Sequence, residues 1–367
     1  MERFELAVVG GGPAGLSAAV TAAEHGVRVL VMDEQAQPGG QLFKQIHKFF
    51  GSNEHLAGVR GFEIGRMLLD RARDFGVEIR LGTTVYGLFD PKTIAAFDKD
   101  RHYIVQTDRI ILATGASENS LAFPGWTLPG VMGAGAAQTL VNIHRILPGK
   151  RVLMVGSGNV GLIVSYQIMQ AGGDVVALVE ALPRIGGYGV HASKIRRAGV
   201  PIFTSCTVRE VRGTESVESA VICDLDESFS PVPGSDRDLD VDTVCIAVGL
   251  KPLIELATMI GVRVAFVPDM GGHVPVHDDN METNVHGVYI AGDISGVEEA
   301  SSAMEEGRLA GLSVAESLGY LKCVEADAAK AEVRRRLDAL RGGPFGLKRR
   351  LAKVRLFEEV RHSALSA

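Results

Sequence analysis

The chain has 367 residues, of which 46% are hydrophobic, and it carries a formal net charge of −6. This length favours two domains of ordinary size over one very large domain. Its basic residues are spread through the chain without forming a stripe, which argues against nucleic acid as a partner. An apolar strand begins almost at the first methionine, and no apolar run is long enough to cross a bilayer. We therefore expect neither a signal peptide nor a transmembrane segment.

The first predicted elements form a strand–turn–helix–strand unit. Residues 6–9 are predicted to be a strand, and residues 10–15 read Gly-Gly-Gly-Pro-Ala-Gly. An alanine-rich helix is predicted over 16–25, and a second strand over 27–32 leads directly to Asp33. This order of elements is typical of the beginning of a parallel sheet that binds a nucleotide.

Each glycine of this turn has a physical role in such a unit. Gly10 permits a tight turn, Gly12 lets the backbone approach a pyrophosphate, and Gly15 lets the helix lie close to the strand. The free N–H groups at the start of the helix favour a negatively charged phosphate. Asp33 is placed to accept hydrogen bonds from a ribose diol, so the unit predicts one half-site for a dinucleotide.

A second unit of the same design follows later in the chain. A strand is predicted over 151–155, the turn 156–161 reads Gly-Ser-Gly-Asn-Val-Gly, and a helix follows over 162–171. The next strand, 174–179, leads to Glu180, at nearly the spacing seen in the first unit. The chain therefore contains an internal duplication. An acidic residue at this position disfavours a 2′-phosphate, so we expect NAD(H) or another adenine nucleotide and not NADP.

Further strands are predicted after each unit. The runs 110–115 and 244–249 both end in glycine, and residues 78–81 and 103–106 are interpreted as strands of a small meander around a turn at 98–100. Near the end of the chain, Gly-Val-Tyr-Ile-Ala-Gly-Asp at 287–293 is predicted to be a buried strand with a carboxylate at its tip. A helix is predicted over 299–317.

Four motifs in this order identify the chain as a member of the two-dinucleotide-binding-domain flavoproteins, the superfamily of thioredoxin reductase and the disulfide reductases. They are the first glycine turn, Ala113-Thr114-Gly115, the second glycine turn and Ala291-Gly292-Asp293. The resemblance covers about residues 4–320. It implies an α/β fold with two Rossmann-like three-layer domains, the second inserted into the first, and a helical C-terminal tail.

The resemblance also implies the domain boundaries and the cofactors. Residues 1–116 and 250–320 are expected to bind FAD non-covalently, and residues 117–249 to bind the second nucleotide. Residues 321–367 form a basic amphipathic tail. In the family, the aspartate of the last motif contacts the ribityl and phosphate region of the flavin, and this role falls to Asp293. The segment 38–42 resembles one that runs beside the flavin.

Two sets of candidate contacts follow, with no side chain nominated for catalysis and no metal expected. For FAD they are Gly10, Gly12, Pro13, Ala14, Gly15, Asp33, Glu34, Gly40, Gln41, Val85, Thr114, Gly115, Gly292 and Asp293. For the second nucleotide they are Gly156, Gly158, Asn159, Val160, Gly161 and Glu180. His273, His277 and His286 are interpreted as scattered loop residues, because no ligand set with metal-site spacing accompanies them.

Two departures from the family limit the chemistry. Disulfide reductases need two cysteines close enough to form a redox-active bridge, and the four cysteines here are far apart in the sequence. We therefore exclude the reduction of thioredoxin or glutathione. Pyridine-nucleotide reductases also resemble one another in a glutamate just after the second glycine turn, where this chain has Ile163. Hydride exchange between NADH and the flavin is consequently in doubt.

A narrower resemblance concerns residues 124–132, Pro-Gly-Trp-Thr-Leu-Pro-Gly-Val-Met. The segment is similar to one in the FAD/NAD-type subunits of multi-subunit amine dehydrogenases and oxidases, a group that includes sarcosine oxidase, opine oxidase, hydroxyproline dehydrogenase, dye-linked proline dehydrogenase and hydrogen cyanide synthase. This implies an electron-transferring subunit that works with a flavin-containing, amine-oxidising subunit. Because only Cys323 follows the last nucleotide motif, a 2Fe-2S cluster would belong to another polypeptide. The alternative is a stand-alone NADH-dependent oxidoreductase acting on a small acceptor or quinone.

The tail from residue 321 carries twelve Lys or Arg against six Asp or Glu, with apolar residues at roughly helical spacing. Three interpretations stay open: a docking helix for a partner subunit, a helix packed on its own domain, and a helix bound to a membrane surface. Oligomerisation also stays open. His47 and Lys48 follow the 38–42 segment and either approach the flavin ring or lie in a solvent-exposed loop.

The positions of the four cysteines indicate the cellular compartment in which the protein is expected. The residues are Cys206, Cys223, Cys245 and Cys323, and three of them lie in strand-like apolar stretches. We interpret the cysteines as buried free thiols, because free cysteine behaves as a small core hydrophobe. A reducing cytoplasm is then the expected location.

Overall fold

A computed structural model describes residues 2–49, 52–99 and 101–364 of the chain. The chain divides into two compact units. The first consists of residues 1–117 together with 251–367, and the second consists of residues 118–250. The expected α/β class is confirmed, as are the helices at the C-terminal end.

The first segment of the first unit runs from the N-terminus to the crossover into the second unit. Its strands are β1 (Glu2–Val9), β2 (Val29–Met32), β3 (Glu78–Arg80), β4 (Thr83–Asp90), β5 (Thr93–Asp98), β6 (Arg101–Leu112) and β7 (Ala116–Glu118). Its helices are α1 (Pro13–Glu24) and α2 (Gly61–Asp74), with short 3₁₀ helices at Gly40–Lys44 and Asn53–His55.

The second unit contains eight of the described strands. They are β8 (Val131–Gly133), β9 (Arg151–Val155), β10 (Asp174–Glu180), β11 (Ile202–Thr204), β12 (Cys206–Arg212), β13 (Ser219–Asp224), β14 (Arg237–Asp240) and β15 (Thr243–Ile246). Its helices are α3 (Ala134–Thr139), which continues into a π-helical turn at Leu140–His144, α4 (Asn159–Gln170) and α5 (Gly189–Arg197).

The chain then returns to the first unit. The strands of this last segment are β16 (Leu250–Pro252), β17 (Val264–Val267), β18 (Gly272–Pro275) and β19 (Val288–Ile290). Its helices are α6 (Glu255–Met259), α7 (Ala300–Ser317), α8 (Cys323–Leu340) and α9 (Gly343–Ala364), with 3₁₀ helices at Pro268–Met270 and Gly292–Ser295.

The sheet of the first unit has the order β3-β2-β1-β6-β5-β4, with β19 also paired to β6. Strands β1, β2, β3, β6 and β19 are parallel, whereas β4, β5 and β6 form an antiparallel meander. Strand β6 serves both parts, because β5 pairs with its first half and β19 with its last three residues. The carboxyl ends of the parallel strands therefore share one edge, which is where such sheets bind ligands.

Two strand predictions in this region were wrong. Residues 78–81 do not belong to the meander, because β3 pairs in parallel with β2 at the sheet edge. The predicted strands 103–106 and 110–115 are one continuous strand, β6, which ends at Leu112. Polar Asp108 and Arg109 interrupt the apolar pattern in the sequence, but the pairing with β1 continues past them. Part of the predicted turn at 98–100 lies outside the described residues.

The second unit repeats much of this plan. Its parallel sheet has the order β11-β10-β9-β15-β8, and a separate antiparallel sheet has the order β12-β13-β14. Every neighbouring pair in the five-stranded sheet is parallel. Each unit thus contains a parallel sheet and three antiparallel strands, which continue the same sheet in the first unit and form a separate sheet in the second.

Helices α1 and α7 pack closely against one another in the first unit. A Cβ atom added at Gly307 of α7 would lie 2.2 Å from the carbonyl oxygen of Ala14 in α1. Only a glycine allows this approach, since real Cβ atoms do not come so near to backbone atoms. The close packing holds the start of α1, where the first glycine turn ends, against α7.

The basic tail consists of α8 and α9, and both helices lie in the first unit. Val333 and Leu337 of α8 belong to the main core, and Leu356 of α9 packs with a smaller buried cluster around Met270. These apolar faces of α8 and α9 therefore pack on their own domain, which was one of the three interpretations of the tail. Leu347 and Leu351 of α9 are half exposed. No helix among the described residues has both the length and the apolar composition needed to cross a membrane.

Candidate nucleotide-binding sites

The first glycine turn connects β1 to α1 as the sequence predicts. Gly10 has φ +105°, in the region that favours glycine, and an added Cβ would lie 2.3 Å from the Ala113 carbonyl oxygen. Gly12 is the N-cap of α1 and Pro13 occupies the first turn of the helix. Because glycine has no side chain to cap the helix, the N-terminal N–H groups stay available to an anion.

Asp33 lies directly after β2 and is buried. Its Oδ2 accepts a hydrogen bond of 2.6 Å from Gly11 N, and its Oδ1 accepts one of 2.7 Å from Gln35 N. A carboxylate can accept about four hydrogen bonds, so both oxygens keep acceptor capacity for a ribose. Asp33 therefore also holds the glycine turn in shape, a role that the sequence analysis did not assign to it.

The 38–42 segment folds back over this turn. Gly39 N donates a hydrogen bond of 2.7 Å to Gly11 O. An added Cβ at Gly40 would lie 2.9 Å from the Gly12 Cα atom, so the two backbones are nearly in contact. Gln41, the next residue, is exposed. The structure therefore brings this segment to the N-terminal end of α1.

The last motif approaches the same helix end from another side. An added Cβ at Gly292 would lie 2.7 Å from the Ala14 Cβ. Asp293 follows in a 3₁₀ turn and accepts a hydrogen bond of 3.3 Å from Glu298 N. Burial raises the pKa of Asp293 to about 7, well above the ordinary value for aspartate. A carboxyl group with this pKa can both donate and accept hydrogen bonds near neutral pH.

The remaining candidate FAD contacts of the first unit lie on different elements. Thr114 Oγ1 donates a hydrogen bond of 2.7 Å to Leu253 O, and Gly115 follows with φ +77°. Val85 lies on β4, two residues after Thr83, which bonds the Asp33 carbonyl through its N–H. Glu34 is exposed and takes no part in the bonds that hold Asp33.

The second turn reproduces the backbone of the first. Gly156 also has φ +105°, and an added Cβ there would lie 2.3 Å from the Ala247 carbonyl oxygen. Gly158 is the N-cap of α4, which corresponds to Gly12 at α1. Glu180 Oε2 accepts a hydrogen bond of 2.9 Å from Ser157 N, as Asp33 does from Gly11. The duplication therefore extends to the contact between acid and turn.

A side chain distinguishes the second turn. Ser157 replaces Gly11, and its Oγ lies 2.5 Å from Glu180 Oε2 and accepts a hydrogen bond of 3.0 Å from Gly186 N. Gly187 N in turn donates to Ser157 O at 2.8 Å. The segment after β10 is therefore fastened to the turn more firmly than its counterpart in the first unit.

This second fold-back was not predicted, although the sequence contains a signal for it. In both units the acid is followed by five residues and then by a Gly-Gly pair, at Gly39-Gly40 and at Gly186-Gly187. A Cβ added at Gly186 would lie 3.9 Å from the Gly158 Cα. The repeat therefore includes the segment that covers the turn.

The first turns of α4 contain the other candidates of the second unit. Gly161 allows the same close helix packing as Gly15, and Asn159 Oδ1 accepts a hydrogen bond of 2.9 Å from Tyr188 N. Val160 is exposed, and Ile163 is partly buried. An isoleucine has no group that hydrogen-bonds a carboxamide.

The sequence matches the family described as pyridine nucleotide-disulphide oxidoreductase over residues 4–307. The chain belongs to this family. The match includes both glycine turns and the segment at Gly292-Asp293, so the resemblance drawn from the motifs is confirmed.

Two curated relatives extend the comparison beyond the family level. An opine oxidase subunit of Rhizobium meliloti is 30% identical over 342 residues, covering 87% of this chain and 72% of the relative. Hydrogen cyanide synthase subunit HcnB of Pseudomonas aeruginosa is 27% identical, covering 93% of this chain and 77% of the relative. Both names were expected from the narrower resemblance of residues 124–132. These relatives are subunits of multi-subunit enzymes, as their names state.

Among solved structures, thioredoxin reductase of T. acidophilum superposes with a TM-score of 0.71 at 24% identity, covering 87% of this chain and all of the other. At this identity the likeness concerns the fold alone. Together with the family membership, it is consistent with the expected two-domain fold. The chain is thus an FAD-dependent oxidoreductase of the pyridine nucleotide-disulphide oxidoreductase family.

The cysteines of this family member are all free thiols. Cys206, Cys223 and Cys245 are buried as expected, whereas Cys323 is exposed because it starts α8 at the surface. Burial raises the pKa of Cys206 to about 11 and that of Cys245 to about 12. Thiols with these pKa values are poor nucleophiles at neutral pH.

The structure also shows the positions of the histidines and of the lysine that were interpreted from the sequence. Lys48 is exposed, as in the solvent-exposed interpretation, whereas His47 is partly buried and stacks on Phe49 at 6.3 Å between ring centroids. His273 and His286 are exposed, but His277 is completely buried. The interpretation as loop residues is wrong for His273, which lies on β18, whereas His277 lies outside the strands but is buried, with its Nε2 3.3 Å from Lys353 Nζ.

Two buried charged clusters in the first unit escaped the sequence analysis. In one, Glu305 is completely buried and pairs with Arg336 at 3.0 Å, with Arg308, and with His55 at 3.3 Å. Burial lowers the pKa of His55, so this imidazole is neutral near pH 7. In the other, Glu306 meets two cations of the C-terminal helices. Arg308 lies only three residues after Glu305, but the other partners are too far apart in sequence for a local pattern to join them.

Proposed function

We propose that the first unit binds FAD non-covalently and that the chain is the electron-transferring subunit of an amino-acid or amine dehydrogenase complex. The observation that carries the proposal is the glycine turn at the start of α1. Three backbone segments converge there, with Gly40 at Gly12 and Gly292 at Ala14, and each meets the helix end through a glycine. Such a cradle suits a pyrophosphate.

The residues of the cradle fit the parts of FAD. The N–H groups at Gly12, Ala14 and Gly15 would face the pyrophosphate, and Asp33 would accept hydrogen bonds from the adenosine ribose. Asp293 would meet the ribityl and phosphate region, where a carboxyl group with a pKa near 7 can donate to an oxygen without adding a full charge. When bound, FAD supplies the two-electron redox chemistry, and the protein binds and orients it.

In the second unit we propose NAD(H) or another adenine nucleotide. Glu180 would accept hydrogen bonds from the 2′-hydroxyl and would repel a 2′-phosphate. The helix end at Gly158 offers N–H groups to phosphates, and Ile163 offers none to a nicotinamide. We therefore propose that this nucleotide is bound without hydride exchange.

The proposed partners follow from the chemistry that the chain lacks. The buried thiols are held protonated, which disfavours dithiol exchange as the route for electrons. A separate flavin-containing subunit would oxidise the amine, and a separate 2Fe-2S protein is a candidate carrier. Relatives that are named as subunits support this arrangement. Free thiols suit a reducing compartment, so we place the complex in the cytoplasm.

Affinity purification of the native chain from its own cells tests the proposal. We expect a flavin-containing, amine-oxidising protein to co-purify in a fixed ratio, and the complex to reduce a dye with an amine or amino acid as donor. The isolated chain should not catalyse this reaction. Full amine-dye activity of the chain alone would contradict the subunit role.

A stand-alone NADH-dependent oxidoreductase is the second candidate, and the complete second turn is the observation that favours it. Anaerobic mixing with NADH separates the two. Rapid loss of flavin absorbance would support the stand-alone enzyme, and bound NADH with an unchanged flavin spectrum would support the role within a complex.

A further inference from the structure

A buried carboxylate accepts hydrogen bonds from both ends of the turn that contains Asp293. Glu306 of α7 is 2% exposed. Its Oε2 accepts hydrogen bonds from Gly292 N at 3.1 Å and from Ser295 Oγ at 2.6 Å. Glu306 therefore joins the two ends of the 3₁₀ turn Gly292–Ser295, with Asp293 between them.

Two cations from the C-terminal helices meet the other oxygen of this carboxylate. Arg341, at the C-terminal end of α8, places Nη2 2.5 Å from Glu306 Oε1 and also pairs with Glu298 at 2.8 Å. Lys353 of α9 places Nζ 2.8 Å from Glu306 Oε1. It also donates to Ser295 O at 2.8 Å and to Ser295 Oγ at 2.7 Å. Lys353 is 2% exposed, so the tail contributes a buried charge to the turn.

The charges of this cluster balance when both carboxylates are ionised. Burial alone would raise the pKa of Glu306, but Lys353 and Arg341 outweigh it and lower this pKa to about 2. His277 stays neutral, because burial and the nearby Lys353 lower its pKa to about 3. The cluster therefore pairs two cations, Lys353 and Arg341, with two carboxylates, Glu306 and Glu298. Removing one partner would leave a buried charge without compensation, which is costly.

We propose that Lys353 and Arg341 are positioning residues for the flavin: they hold Glu306 ionised, Glu306 fixes the Gly292–Ser295 turn, and the turn presents Asp293 to FAD. The inference rests on the proposed binding of FAD in the first unit. It makes flavin affinity depend on helices α8 and α9, which follow the segment that matches the family. All residues of the cluster belong to the first unit, so nucleotide binding in the second unit is independent of it.

The direct test compares two lysines of α9 in the full-length chain. Lys353→Met removes the buried charge and keeps a side chain of similar length, and Lys348→Met changes an exposed lysine of the same helix. Flavin is removed from each protein to measure the dissociation constant for FAD. The constant for ADP, a probe of the second site, is measured on protein kept saturated with FAD, because the first site would otherwise also accept ADP. We expect Lys353→Met to weaken FAD binding by about tenfold or more. ADP affinity should not change, and Lys348→Met should behave as the wild type.

A double variant separates this role from a general effect on packing. Glu306→Gln alone should also weaken FAD binding, because it leaves Lys353 without its countercharge. In Lys353→Met combined with Glu306→Gln, the amide oxygen can still accept from Gly292 and Ser295 and no lysine charge is stranded. We expect the double variant to bind FAD more tightly than either single variant. If Lys353→Met does not fold, Lys353→Gln takes its place with the same expected loss.

Two results would overturn the inference while the proposed function stands. One is a Lys353→Met protein that binds FAD as the wild type does, and the other is a double variant no better than the single variants. A wild-type chain that takes up no FAD would instead overturn the proposed function, and this inference with it.

Discussion

The two glycine turns have the same backbone and different surroundings. Gly10 and Gly156 share a φ of +105°, and each would place an added Cβ 2.3 Å from a carbonyl oxygen of the neighbouring strand connection. At the first turn the acid accepts hydrogen bonds from two backbone N–H groups, and the Gly292 turn lies against the same helix end with a buried ionic cluster behind it. At the second, Ser157 binds the acid and the covering segment directly.

This difference indicates how one duplicated unit can serve two roles. We propose that the glycine backbone offers a helix end to phosphates in both units, because that requirement is independent of the rest of the ligand. The surrounding contacts set what else can bind. In the first unit, the glycine turn is accompanied by Asp293, whose own turn is bonded to residues of the tail. In the second unit, it is accompanied by the segment after β10 that covers the turn, and Ile163 lies in the helix. Function therefore has to be inferred from the surroundings and not from the turns.

The largest effect is expected from a Cβ at either turn. Gly10→Ala should abolish FAD uptake and leave ADP binding in place, whereas Gly156→Ala should abolish ADP binding and leave the flavin bound. In each case the methyl group would lie 2.3 Å from a carbonyl oxygen at a φ that alanine disfavours. The measurements are flavin content by absorbance and ADP affinity by calorimetry.

Matched controls isolate the clash from backbone strain. Gly76 in the first unit and Gly172 in the second also have positive φ, and an added Cβ at either meets no atom of the described residues within 4 Å. Gly76→Ala and Gly172→Ala should keep both ligands. Loss of FAD from Gly156→Ala, with ADP retained, would contradict the assignment of the two sites.

A smaller effect is expected from the pH dependence of the Asp293 carboxyl. Its pKa is about 7 in the folded protein without flavin and near the ordinary aspartate value after unfolding, so the folded state binds more protons between these two values. The contribution of Asp293 to the free energy of unfolding therefore falls as pH rises from about 4 to about 7.

Asp293→Asn removes this titration. The difference in unfolding free energy between wild type and variant should decrease by about 2 kcal/mol across this window, a figure reduced for the partial exposure of the side chain. Denaturant unfolding of both flavin-free proteins at several pH values measures it. A difference that is constant with pH would show that the carboxyl has no raised pKa.

Ser157→Gly makes the second turn resemble the first. The variant loses the hydroxyl bonds to Glu180 and Gly186 but keeps the bond from residue 157 N to Glu180. We expect the free energy of unfolding to fall by about 1–2 kcal/mol, since two hydrogen bonds of a buried group are removed. Unfolding in denaturant measures the change, and flavin affinity serves as the internal control. A stabilised variant would contradict the fastening role of Ser157.

The smallest effect on flavin binding is expected from thiol labelling under native conditions. Cys323 of the first unit is exposed, whereas the three cysteines of the second unit are buried with pKa values raised by burial. We expect Cys323 to react under native conditions, more slowly than an unperturbed exposed thiol because the charge of Asp327 raises its pKa, and the other three only after denaturation. Labelling of Cys323 should leave the flavin spectrum and its reduction unchanged. A loss of activity on labelling would reopen a role for thiol chemistry.

The parts of the fold that the sequence predicted are those with a local signal. Both glycine turns, their acids and the α7 helix were placed by glycine spacing and hydrophobic runs, because adjacent residues determine a turn or a helix. The path of β6 was predicted less well, since its polar residues Asp108 and Arg109 continue a strand that only the pairing with β1 reveals. The meander strand β4 was missed, and its pairing with β5 is irregular at two places.

The buried clusters could not be predicted from the sequence. Lys353 lies in a run that reads as the polar side of a basic helix, and Glu306 follows another glutamate in α7, a helix that is buried over most of its length. Lysine and glutamate are rarely buried unless they are paired, and pairing across the fold leaves no periodic pattern. The Gly-Gly pair six residues after each acid was visible in the sequence, but its role became clear only once both pairs were seen to cover a turn.

Flavin uptake by the purified chain tests the central claim most directly. The flavin-free protein is titrated with FAD, and bound flavin is followed by its absorbance and by quenching of its fluorescence. The account predicts saturation at a single equivalent of FAD per chain, lost in Gly10→Ala and kept in Gly156→Ala. A folded wild-type chain that takes up no FAD would contradict it.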